Sequence, residues 1–419
     1  MRTKKPPMGW NSWDCYGAAV NEETVRKNAQ YMAEHLKDYG WEYVVVDIQW
    51  SEPTADSHEY HPFAKLCMDE YSRLIPAENR FPSSAGGKGF APLAEYVHSL
   101  GLKFGIHIMR GIPRQAVHEG CKILGTEKTA KDIAMTNSIC FWNGDMYGVD
   151  AAKEGAKEYY KSIFELYASW GVDFIKCDDI CRELPQAEAE LKLLSEALRG
   201  CGRDMVLSLS PGPAILEKVD VYKETADMWR ITDDFWDDWK ALYNMFERCE
   251  KWCIHTGAGF WPDADMLPVG AIRQDYDEND RTRFTEDEQR TMMTLWCIFR
   301  SPLMIGGEMT KNDDFTLNLL TSRQILDMSE NARHAHQVFR KKVKDTEVVL
   351  WTAVNAKGGQ YVAVFNIGEE KLDMTIDLEE LEIYDPSDIT DLWNSEKKEA
   401  VTKLDVSLPP HGCSAFLVG

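Results

Sequence analysis

The stretch DFIKCDDI, residues 173–180, is an apolar segment that ends in two adjacent carboxylates. Its apolar side chains predict a buried β-strand. In a barrel of parallel strands, apolar side chains fill the interior and chemistry takes place where the strands end. Adjacent carboxylates at a strand end are therefore candidates for catalysis, provided that the rest of the chain forms such a barrel.

Short β-rich segments recur through about the first 330 residues and alternate with amphipathic stretches. The other candidate strands are MGWNSW (8–13), YVVVDIQW (43–50), KFGIHI (103–108), MVLSLS (205–210), MWRIT (228–232), CIHTGAGF (253–260) and LMIGG (303–307). Helix-like segments, with apolar residues at three- and four-residue spacing, are 22–38, 90–100, 152–170, 186–199, 237–251 and 286–299. Eight strands alternating with helices predict an α/β protein with a (β/α)8 TIM barrel.

After about residue 335 the pattern changes to alternating strands separated by turn residues, which predicts a small antiparallel β-sandwich. We therefore expect a catalytic barrel over residues 1–333 and a C-terminal β-sandwich domain over residues 334–419. The region 51–89 is a long loop after the second strand, and we expect it to overhang the mouth of the barrel.

The composition argues against several classes of protein. The 47 Lys and Arg residues against 69 Asp and Glu give a net charge of −22, which repels nucleic acid and anionic lipid. No apolar run is long enough for a membrane span and no secretory signal follows the basic N-terminus, so we expect a cytoplasmic protein. The spacings of Cys177/Cys181 and Cys249/Cys253 fit neither zinc pairs nor a disulfide scaffold, so we expect reduced thiols.

Charged side chains follow several of the predicted strands. They are Asp47, Lys176, Asp178, Arg230, Asp234, Asp263 and Asp265. Because the carboxyl ends of parallel strands share one face of a barrel, we expect these side chains to converge on its mouth. Lys176 lies two residues before Asp178 and shares its face of the strand, which favours an ionised Asp178 that acts as a nucleophile.

Asp234 has a different setting, because the apolar residues Phe235 and Trp236 follow it directly. Apolar neighbours raise the pKa of a carboxyl group and keep a proton available for a leaving group. One ionised and one protonated carboxyl group form the working pair of a retaining glycosidase. Asp179 fits the cap of the next helix better than a catalytic role.

Tryptophan is abundant near the predicted strand ends. Of the 14 in the chain, those at such positions are Trp10, Trp13, Trp50, Trp229, Trp236 and Trp261. Sugar rings present apolar C–H faces that stack on aromatic rings, so these positions favour a carbohydrate substrate. Packing in the core is the alternative for each of them.

The same residues form a pattern that resembles glycoside hydrolase family 27, the retaining α-galactosidases and α-N-acetylgalactosaminidases. The resemblance spans nearly the whole chain, through PPMGWNSW, YVVVDIQW, RFPSS (80–84), GLKFGIH, IKCDD, WRITDD, PDADML and SPLMIGG. It implies Asp178 as the nucleophile and Asp234 as the acid/base, in agreement with the argument from strand ends. The further sugar contacts that it implies are Trp13, Asp47, Lys176, Arg230 and Asp265, with His107 where the family commonly has tyrosine.

Two positions depart from the family pattern. Where its α-galactosidases generally have a second aspartate for the sugar's 4- and 6-hydroxyls, this chain has Ile48. Isoleucine accepts no hydrogen bond, which favours β-L-arabinopyranose, a sugar with the ring stereochemistry of α-D-galactose but no C6 hydroxymethyl group. The family includes β-L-arabinopyranosidases, some with isoleucine here. Ser210 stands where α-galactosidases tend to have glutamate and α-N-acetylgalactosaminidases serine, which keeps N-acetylgalactosamine as an alternative.

The same residues also fit other substrates and other classes of protein. Loop residues beside Ile48 could rebuild the lost contact and keep α-galactosides as equal substrates. A barrel with strand-end Asp and Lys could also be a metal-dependent lyase, a Schiff-base aldolase with Lys176 as the amine, or an inactive sugar-binding protein. The glycosidase hypothesis needs a carbohydrate substrate and no cofactor or metal, and it leaves open whether the chain forms a homo-oligomer.

Overall fold

Alternating strands and helices make up the chain as far as Asn331, and strands predominate after it. The computed structural model describes residues 3–274 and 276–419, apart from the side chain of Pro185. In chain order the strands are β1 (Met8–Asn11), β2 (Tyr43–Val46), β3 (Lys103–Met109), β4 (Ile112–Pro113), β5 (Ala134–Ile139), β6 (Met146–Val149), β7 (Phe174–Asp178), β8 (Val206–Leu209), β9 (Met228–Arg230), β10 (Trp261–Asp263), β11 (Leu303–Ile305), β12 (Ala332–Val343), β13 (Thr346–Asn355), β14 (Gln360–Asn366), β15 (Leu372–Asp377), β16 (Ser387–Asp391), β17 (Lys397–Val401), β18 (Lys403–Leu408) and β19 (Cys413–Val418). The α-helices are α1 (Trp13–Tyr16), α2 (Glu22–His35), α3 (Ala91–Ser99), α4 (Arg114–Glu119), α5 (Ala130–Ile133), α6 (Ala156–Ser169), α7 (Leu184–Gly200), α8 (Val219–Thr225), α9 (Trp239–Trp252), α10 (Glu286–Phe299), α11 (Asp314–Leu320) and α12 (Arg323–Asn331).

Eight parallel strands form the sheet of the barrel, in the order β10-β9-β8-β7-β3-β2-β1-β11. A parallel bridge between Leu267 and Ile305 joins the segment after β10 to β11, so the sheet curls round on itself. Helices α2, α3, α6, α7, α8, α9 and α10 lie between successive strands of this sheet. The arrangement confirms the predicted (β/α)8 barrel.

Large apolar side chains fill the inside of the barrel. They are Tyr43, Val45, Phe174, Val206, Met228, Trp261, Met266 and Met304. Because these side chains close the interior, the barrel is a packed core and not a pore. Trp13 packs on this cluster from the carboxyl ends of the strands.

The seventh predicted strand, CIHTGAGF, was wrong in position. Residues Cys253–His255 form a single 3₁₀ turn, and the Phe260 N–H then bonds back to the Gly257 carbonyl at 2.8 Å. Gly259 has a φ of +81°, a conformation that glycine adopts at less cost than other residues. Because these residues turn the chain, the strand that enters the barrel begins only at Trp261.

A small antiparallel sheet lies between β3 and α6, and the sequence analysis did not predict it. Strands β4, β5 and β6 form a three-stranded sheet in the order β4-β6-β5. The loop between β5 and β6 carries Phe141 and Trp142 to the carboxyl face of the barrel. Short strands with many polar residues, such as AMTNSI in β5, give little hydrophobic periodicity, so pattern alone does not reveal them.

The C-terminal strands are antiparallel, as predicted, and form two sheets. The larger has the order β12-β13-β14-β19-β16-β17, and β15 pairs with β18 in the smaller. Side chains of β13 alternate, so that Val348 and Leu350 pack with the smaller sheet while Val349 and Trp351 join the core of the barrel. Strand β13 is therefore buried on both faces, which fixes the larger sheet against the barrel.

The structure also describes the state of the cysteines and the length of the helices. The eleven cysteines are free thiols. Cys177 and Cys181 are both buried, and burial raises the pKa of each thiol. Within the described ranges, no helix is both long and apolar enough to cross a membrane.

Candidate active site

A cavity of about 270 Å³ opens at the carboxyl ends of the barrel strands. The residues on its wall that the sequence analysis assigned to the site are Trp13, Asp47, Ile48, Lys176, Asp178, Arg230, Asp234 and Asp265. Trp236, one of the candidate stacking tryptophans, also lines the cavity. Lining residues that the sequence analysis did not name as sugar contacts are Asp14, Tyr60, Phe141, Trp142, Arg182, Pro211, Asp233, Phe235 and Met266. The structure therefore brings most of the predicted set together around one cavity.

Strand register explains this convergence. In β3 and β7, His107 lies opposite Lys176, and Met109 lies opposite Asp178. Lys176 and Asp178 point to the same side of β7 because side chains alternate along a strand. Asp47 directly follows β2, the neighbour of β3 on its other side, so three adjacent strands bring polar side chains to one point.

Three groups surround the carboxylate of Asp178. Nε2 of His107 donates to Oδ2 at 2.7 Å, and the hydroxyl of Ser210 donates to Oδ1. The ammonium of Lys176 lies 3.8 Å from Oδ2. Burial by itself would raise the pKa of Asp178, but the lysine charge and the two hydrogen bonds outweigh it and hold the pKa far below its usual value. Asp178 is therefore ionised, as a nucleophile must be.

Lys176 links Asp178 to a second buried carboxylate, Asp47. Nζ of Lys176 lies 2.8 Å from Oδ2 of Asp47, which also accepts from Nδ2 of Asn11 at 2.6 Å. Burial lowers the pKa of Lys176, but the two carboxylates raise it by more, so the ammonium stays protonated. Burial likewise opposes the charge of Asp47, and Lys176 overcomes this and lowers the pKa of that carboxyl. The cavity wall therefore presents a cation between two anions.

A second charge network centres on Arg230. Its Nη2 donates to Oδ1 of Asp234 at 2.7 Å, and its Nη1 donates to Oδ1 of Asp265 at 2.8 Å. Oδ2 of Asp265 accepts from the backbone N–H of Phe235 at 2.7 Å, which ties the loop carrying Asp234 to the segment after β10. The position of Asp234 is therefore set by an arginine and by a backbone contact of its neighbour.

The surroundings of Asp234 differ from those that its neighbours in the sequence suggested. Its side chain is 55% exposed, although apolar residues were expected to desolvate it. Phe235 turns into the core, where its ring centroid lies 5.0 Å from that of Trp296, so Phe235 does not cover the carboxyl group. Exclusion of water from Asp234 therefore depends on what fills the cavity.

A buried carboxyl group beside this network has an unusual pKa. Asp263 ends β10, and its Oδ1 accepts from the backbone N–H of Asp265 at 2.9 Å. Burial, and after it the charge of Asp265, raises the pKa of Asp263 to about 7, while Arg230 acts in the opposite direction. Asp263 is therefore protonated in acid and loses its proton near neutrality.

We expect Asp263→Asn to stabilise the folded chain in alkali and to have little effect in acid. An unfolded aspartate has a pKa of about 3.9, whereas the folded group has one of about 7. The stability that the bound proton contributes is complete below about pH 4 and is lost as the pH rises to about 7. Asparagine keeps an acceptor oxygen for the Asp265 N–H and has no such loss.

Thermal unfolding midpoints measured in acid and in alkali test this expectation. The exposed residue Asp38 provides a control variant, Asp38→Asn, because it removes a carboxylate that is not buried. A stability difference between Asp263→Asn and the parent that is the same at both pH values would contradict the raised pKa.

Aromatic rings form one wall of the cavity. Trp13 stacks on Tyr60 with ring centroids 5.8 Å apart, and Tyr60 contacts Trp142 with centroids 5.7 Å apart. Tyr60 comes from the 51–89 loop, which lies over the mouth as expected. Trp50 does not reach the cavity, because the chain turns after β2 and directs its indole N–H to the His107 carbonyl at 2.8 Å.

Ile48 belongs to an apolar patch beside the aromatic wall. Its side chain packs with Met109, Cys140 and Met146, and it also lines the cavity. Its backbone N–H donates to Oδ1 of Asp47 at 2.9 Å, which holds the two residues side by side. A ligand in the cavity therefore meets a carboxylate and an apolar surface next to each other.

Two predicted site residues lie behind the cavity wall. His107 and Ser210 are almost completely buried, and both donate to Asp178. Ser210 was expected beside a sugar's 2-hydroxyl, but Pro211 is the residue of this loop that lines the cavity. His107 and Ser210 therefore influence a ligand through Asp178.

Comparison with known proteins agrees with this geometry. A family model described as alpha galactosidase A matches residues 5–152 and 147–331, and one for the alpha galactosidase C-terminal beta sandwich domain matches residues 345–418. A GH27 β-L-arabinopyranosidase from Geobacillus stearothermophilus is 57% identical, with a TM-score of 0.95, and the match covers 99% of this chain and 96% of that one. The chain belongs to glycoside hydrolase family 27.

Other members of family 27 are also similar. An aspartate-to-alanine variant of the Geobacillus enzyme was solved in complex with arabinose, and it matches this chain with a TM-score of 0.96 and 57% identity over 99% of this chain and 97% of that one. A Bacillus halodurans protein proposed to be an α-N-acetylgalactosaminidase is 50% identical, with a TM-score of 0.88 over 100% of this chain and 99% of that one. The α-galactosidase of Cyamopsis tetragonoloba is 25% identical over 99% of this chain and 86% of its own length.

The cavity of this family 27 chain contains one further carboxyl group, Asp14. Asp14 is buried, and its Oδ2 has no hydrogen-bond partner among the described residues. Burial, followed by the negative charges of Asp265 and Asp234, raises the pKa of Asp14. A protonated Asp14 can donate a hydrogen bond, in contrast to the ionised Asp178. Its place in the WNSWD stretch was the only sequence signal, and residue type alone does not distinguish such a group from a helix cap.

The rival barrel chemistries fit this arrangement poorly. A Schiff-base enzyme needs a neutral amine, whereas two carboxylates keep Lys176 protonated. Ligand atoms of Asp47, His107 and Asp178 lie within 4.8 Å of one another, as a metal ion would require. The Lys176 ammonium, 2.8 Å from Asp47, already supplies positive charge to this group. The chain is a glycoside hydrolase of family 27, and the carboxyl groups of Asp178 and Asp234 both line its cavity.

Proposed function

We propose that this chain is a retaining exo-glycosidase that preferentially releases terminal β-L-arabinopyranose, with α-D-galactosides as weaker or equal substrates. The observation that carries the proposal is Ile48, which presents an apolar surface to the cavity beside the carboxylate of Asp47. The Geobacillus β-L-arabinopyranosidase, 57% identical to this chain, supports it further.

The two candidate sugars differ in the substituent on C5 of the ring. α-D-Galactose carries a hydroxymethyl group there, whereas β-L-arabinopyranose carries only hydrogen at that position. With the 4-hydroxyl on Asp47, the adjacent Ile48 lies beside C6. A C6 hydroxyl that meets isoleucine leaves water without gaining a partner, which costs about 1–3 kcal/mol. The ring methylene of arabinopyranose makes apolar contact with the same side chain and avoids this cost.

The reaction takes place in two displacement steps. Asp178 attacks the anomeric carbon while protonated Asp234 donates its proton to the glycosidic oxygen, so that the aglycone leaves as an alcohol. The sugar is then esterified to Asp178. Ionised Asp234 takes a proton from water, and the water oxygen displaces Asp178 and releases the sugar with retained anomeric configuration. For this reaction the two carboxyl groups should lie about 5–5.5 Å apart.

The surrounding residues prepare the two carboxyl groups for these roles. His107, Ser210 and Lys176 keep Asp178 ionised, and they orient its oxygens before the substrate arrives. Bound sugar would fill the cavity and remove water from Asp234, a group that no protein side chain covers in full. Binding of the substrate thereby desolvates Asp234, as proton donation to the glycosidic oxygen requires.

Assays of one preparation on three substrates test the proposed specificity. The nitrophenyl glycosides of β-L-arabinopyranose, α-D-galactose and N-acetyl-α-D-galactosamine share one leaving group, so differences in kcat/KM report on the sugar. We expect the arabinopyranoside to have the highest value, or a value equal to that of the galactoside. Turnover of the N-acetylgalactosaminide alone would overturn the proposal. Ser210 argues against that outcome, because its hydroxyl already donates to Asp178.

We expect Ile48→Asp to shift the preference between arabinopyranoside and galactoside toward the galactoside by about tenfold to a hundredfold. The new carboxylate can accept a hydrogen bond from the C6 hydroxyl, and it removes the apolar contact with arabinopyranose. The ratio of kcat/KM values for the two nitrophenyl glycosides measures the shift. Ile48→Val is the matched control, because it keeps an apolar surface and should leave the ratio near that of the parent. An unchanged ratio in a folded Ile48→Asp variant would show that Ile48 does not select against the C6 hydroxyl.

A further inference from the structure

One large apolar side chain at the rim of the cavity has no role in packing the fold. Phe141, in the loop between β5 and β6, is 82% exposed and lines the cavity. Rings of this size are normally buried in a folded protein. The guanidinium of Arg182 lies 5.5 Å from the centre of the Phe141 ring, so the exposed ring has a defined polar neighbour.

Arg182 connects this ring to the catalytic loop. Its Nη1 lies 2.8 Å from Oδ2 of Asp233, the residue directly before Asp234. The Asp233 side chain is 63% exposed and that of Arg182 is 22% exposed, so both keep hydrogen-bonding capacity toward solvent. An aromatic face, a donor and an acceptor therefore lie together at the rim.

The proposed reaction determines on which side of the cavity the aglycone lies. The acid/base residue donates its proton to the glycosidic oxygen, and the aglycone begins at that oxygen. The aglycone must therefore extend from the sugar on the side where Asp234 lies. Asp233 directly precedes Asp234 and pairs with Arg182, and both Asp233 and Arg182 line the cavity.

We propose that Phe141, Arg182 and Asp233 form a binding site for the leaving group, and that this leaving group is itself a sugar. The inference rests on the proposed function, because it uses Asp234 as the acid/base. A sugar ring has an apolar C–H face that suits Phe141 and hydroxyls that suit a paired guanidinium and carboxylate. The opposite charges of Arg182 and Asp233 offset each other, which favours a neutral, polyhydroxylated partner over a charged one.

The surface of the chain provides a matched control for Phe141. Phe63 is 84% exposed and lies under the guanidinium of Arg114, 5.3 Å from its ring centre, but it does not line the cavity. The two phenylalanines therefore have the same kind of exposure and the same kind of partner. Only Phe141 is placed to contact an aglycone.

The test compares two substrates that differ only in the leaving group. One is a disaccharide with a terminal β-L-arabinopyranose, the sugar of the proposed function, and the other is the glycosyl fluoride of the same sugar. Fluoride cannot contact the rim, so the ratio of kcat/KM for disaccharide over fluoride isolates the contribution of the leaving-group site. We expect Phe141→Ala to lower this ratio by about fivefold to tenfold. Phe141→Tyr should restore it, and Phe63→Ala should leave it at the parent value.

The outcomes separate the two proposals. A parent protein that hydrolyses both substrates, with the same ratio in Phe141→Ala, overturns the leaving-group site and leaves the glycosidase proposal intact. An equal fall in the ratio for Phe63→Ala also overturns it, because the effect would then not come from the rim. A parent protein that releases sugar from neither substrate removes the proposed function, and the leaving-group site fails with it.

Discussion

Asp178→Ala is expected to lower kcat on disaccharide substrates by about 10⁴-fold or more, because it removes the covalent route through the glycosyl-enzyme. The carboxylate has a strongly lowered pKa and is held by His107, Ser210 and Lys176, so the parent protein presents an ionised nucleophile over the whole working pH range. Alanine leaves a space of about the size of a small anion. External azide should therefore restore part of the turnover and give a glycosyl azide of inverted configuration.

Three measurements decide this prediction. Steady-state rates give the loss of kcat, and nuclear magnetic resonance gives the configuration of the azide product. Mass spectrometry after treatment with a 2-fluoro sugar inactivator should locate a covalent label on Asp178 of the parent protein. Asp178→Asn is the control for shape, since it keeps the size of the side chain but removes its charge, and it should be as inactive as the alanine variant. Full activity of both variants on a disaccharide would exclude Asp178 as the nucleophile.

Asp234→Ala is expected to have the second-largest effect, and the effect should depend on the leaving group. General acid catalysis contributes about 10²- to 10⁴-fold when the departing alcohol is a poor leaving group. A dinitrophenyl glycoside needs no proton for departure, so its first step should be nearly as fast as in the parent protein. Azide should again increase turnover, but the product should now keep the configuration of the substrate, because azide replaces water in the second displacement.

The neighbouring aspartate is the matched control for this prediction. Asp233 and Asp234 are consecutive carboxylates on the cavity wall, with side chains that are 63% and 55% exposed. Arg230 contacts Asp234, and Arg182 contacts Asp233. Across a series of aryl glycosides, whose leaving groups carry no second sugar for Asp233 to bind, we expect only Asp234→Ala to show rates that rise steeply as the pKa of the leaving phenol falls. The same dependence in Asp233→Ala, and its absence in Asp234→Ala, would reverse the assignment.

The barrel strands were predictable because a strand buried on both faces is a continuous apolar segment. YVVV of β2 and the apolar residues of β7 are examples, and each is followed by a polar residue that must lie at the barrel mouth. CIHTGAGF failed as a strand because the same apolar residues also occur in turns, and Gly259 allows the chain to reverse. The polar strand β5 was missed because most of its residues are not buried and give no periodic signal. Strands β4 and β6 are buried, but with two and four residues they are too short to show a period.

Most of the candidate site was predictable for the same reason. Asp47, Lys176 and Asp178 are at or next to the ends of strands, and local sequence is enough to place such residues at the mouth. Trp50 shows the limit of this reasoning, because three residues of turn after β2 are enough to direct its ring away from the cavity. Tyr60 and Phe141 show the opposite case, since they lie far in the sequence from the ends of the barrel strands and still line the cavity.

The sequence by itself determined that the chain forms a (β/α)8 barrel, and it placed Asp178 and Asp234 at the mouth as candidates for catalysis. These follow from short-range rules, because burial and side-chain alternation act within a few residues. Only the tertiary structure decided that Ser210 contacts Asp178, that Arg230 contacts Asp234, and that Trp50 points away from the cavity. Such contacts depend on the paths of loops from separate strands. Packing throughout the core selects those paths, so a pattern within a few residues of sequence does not predict them.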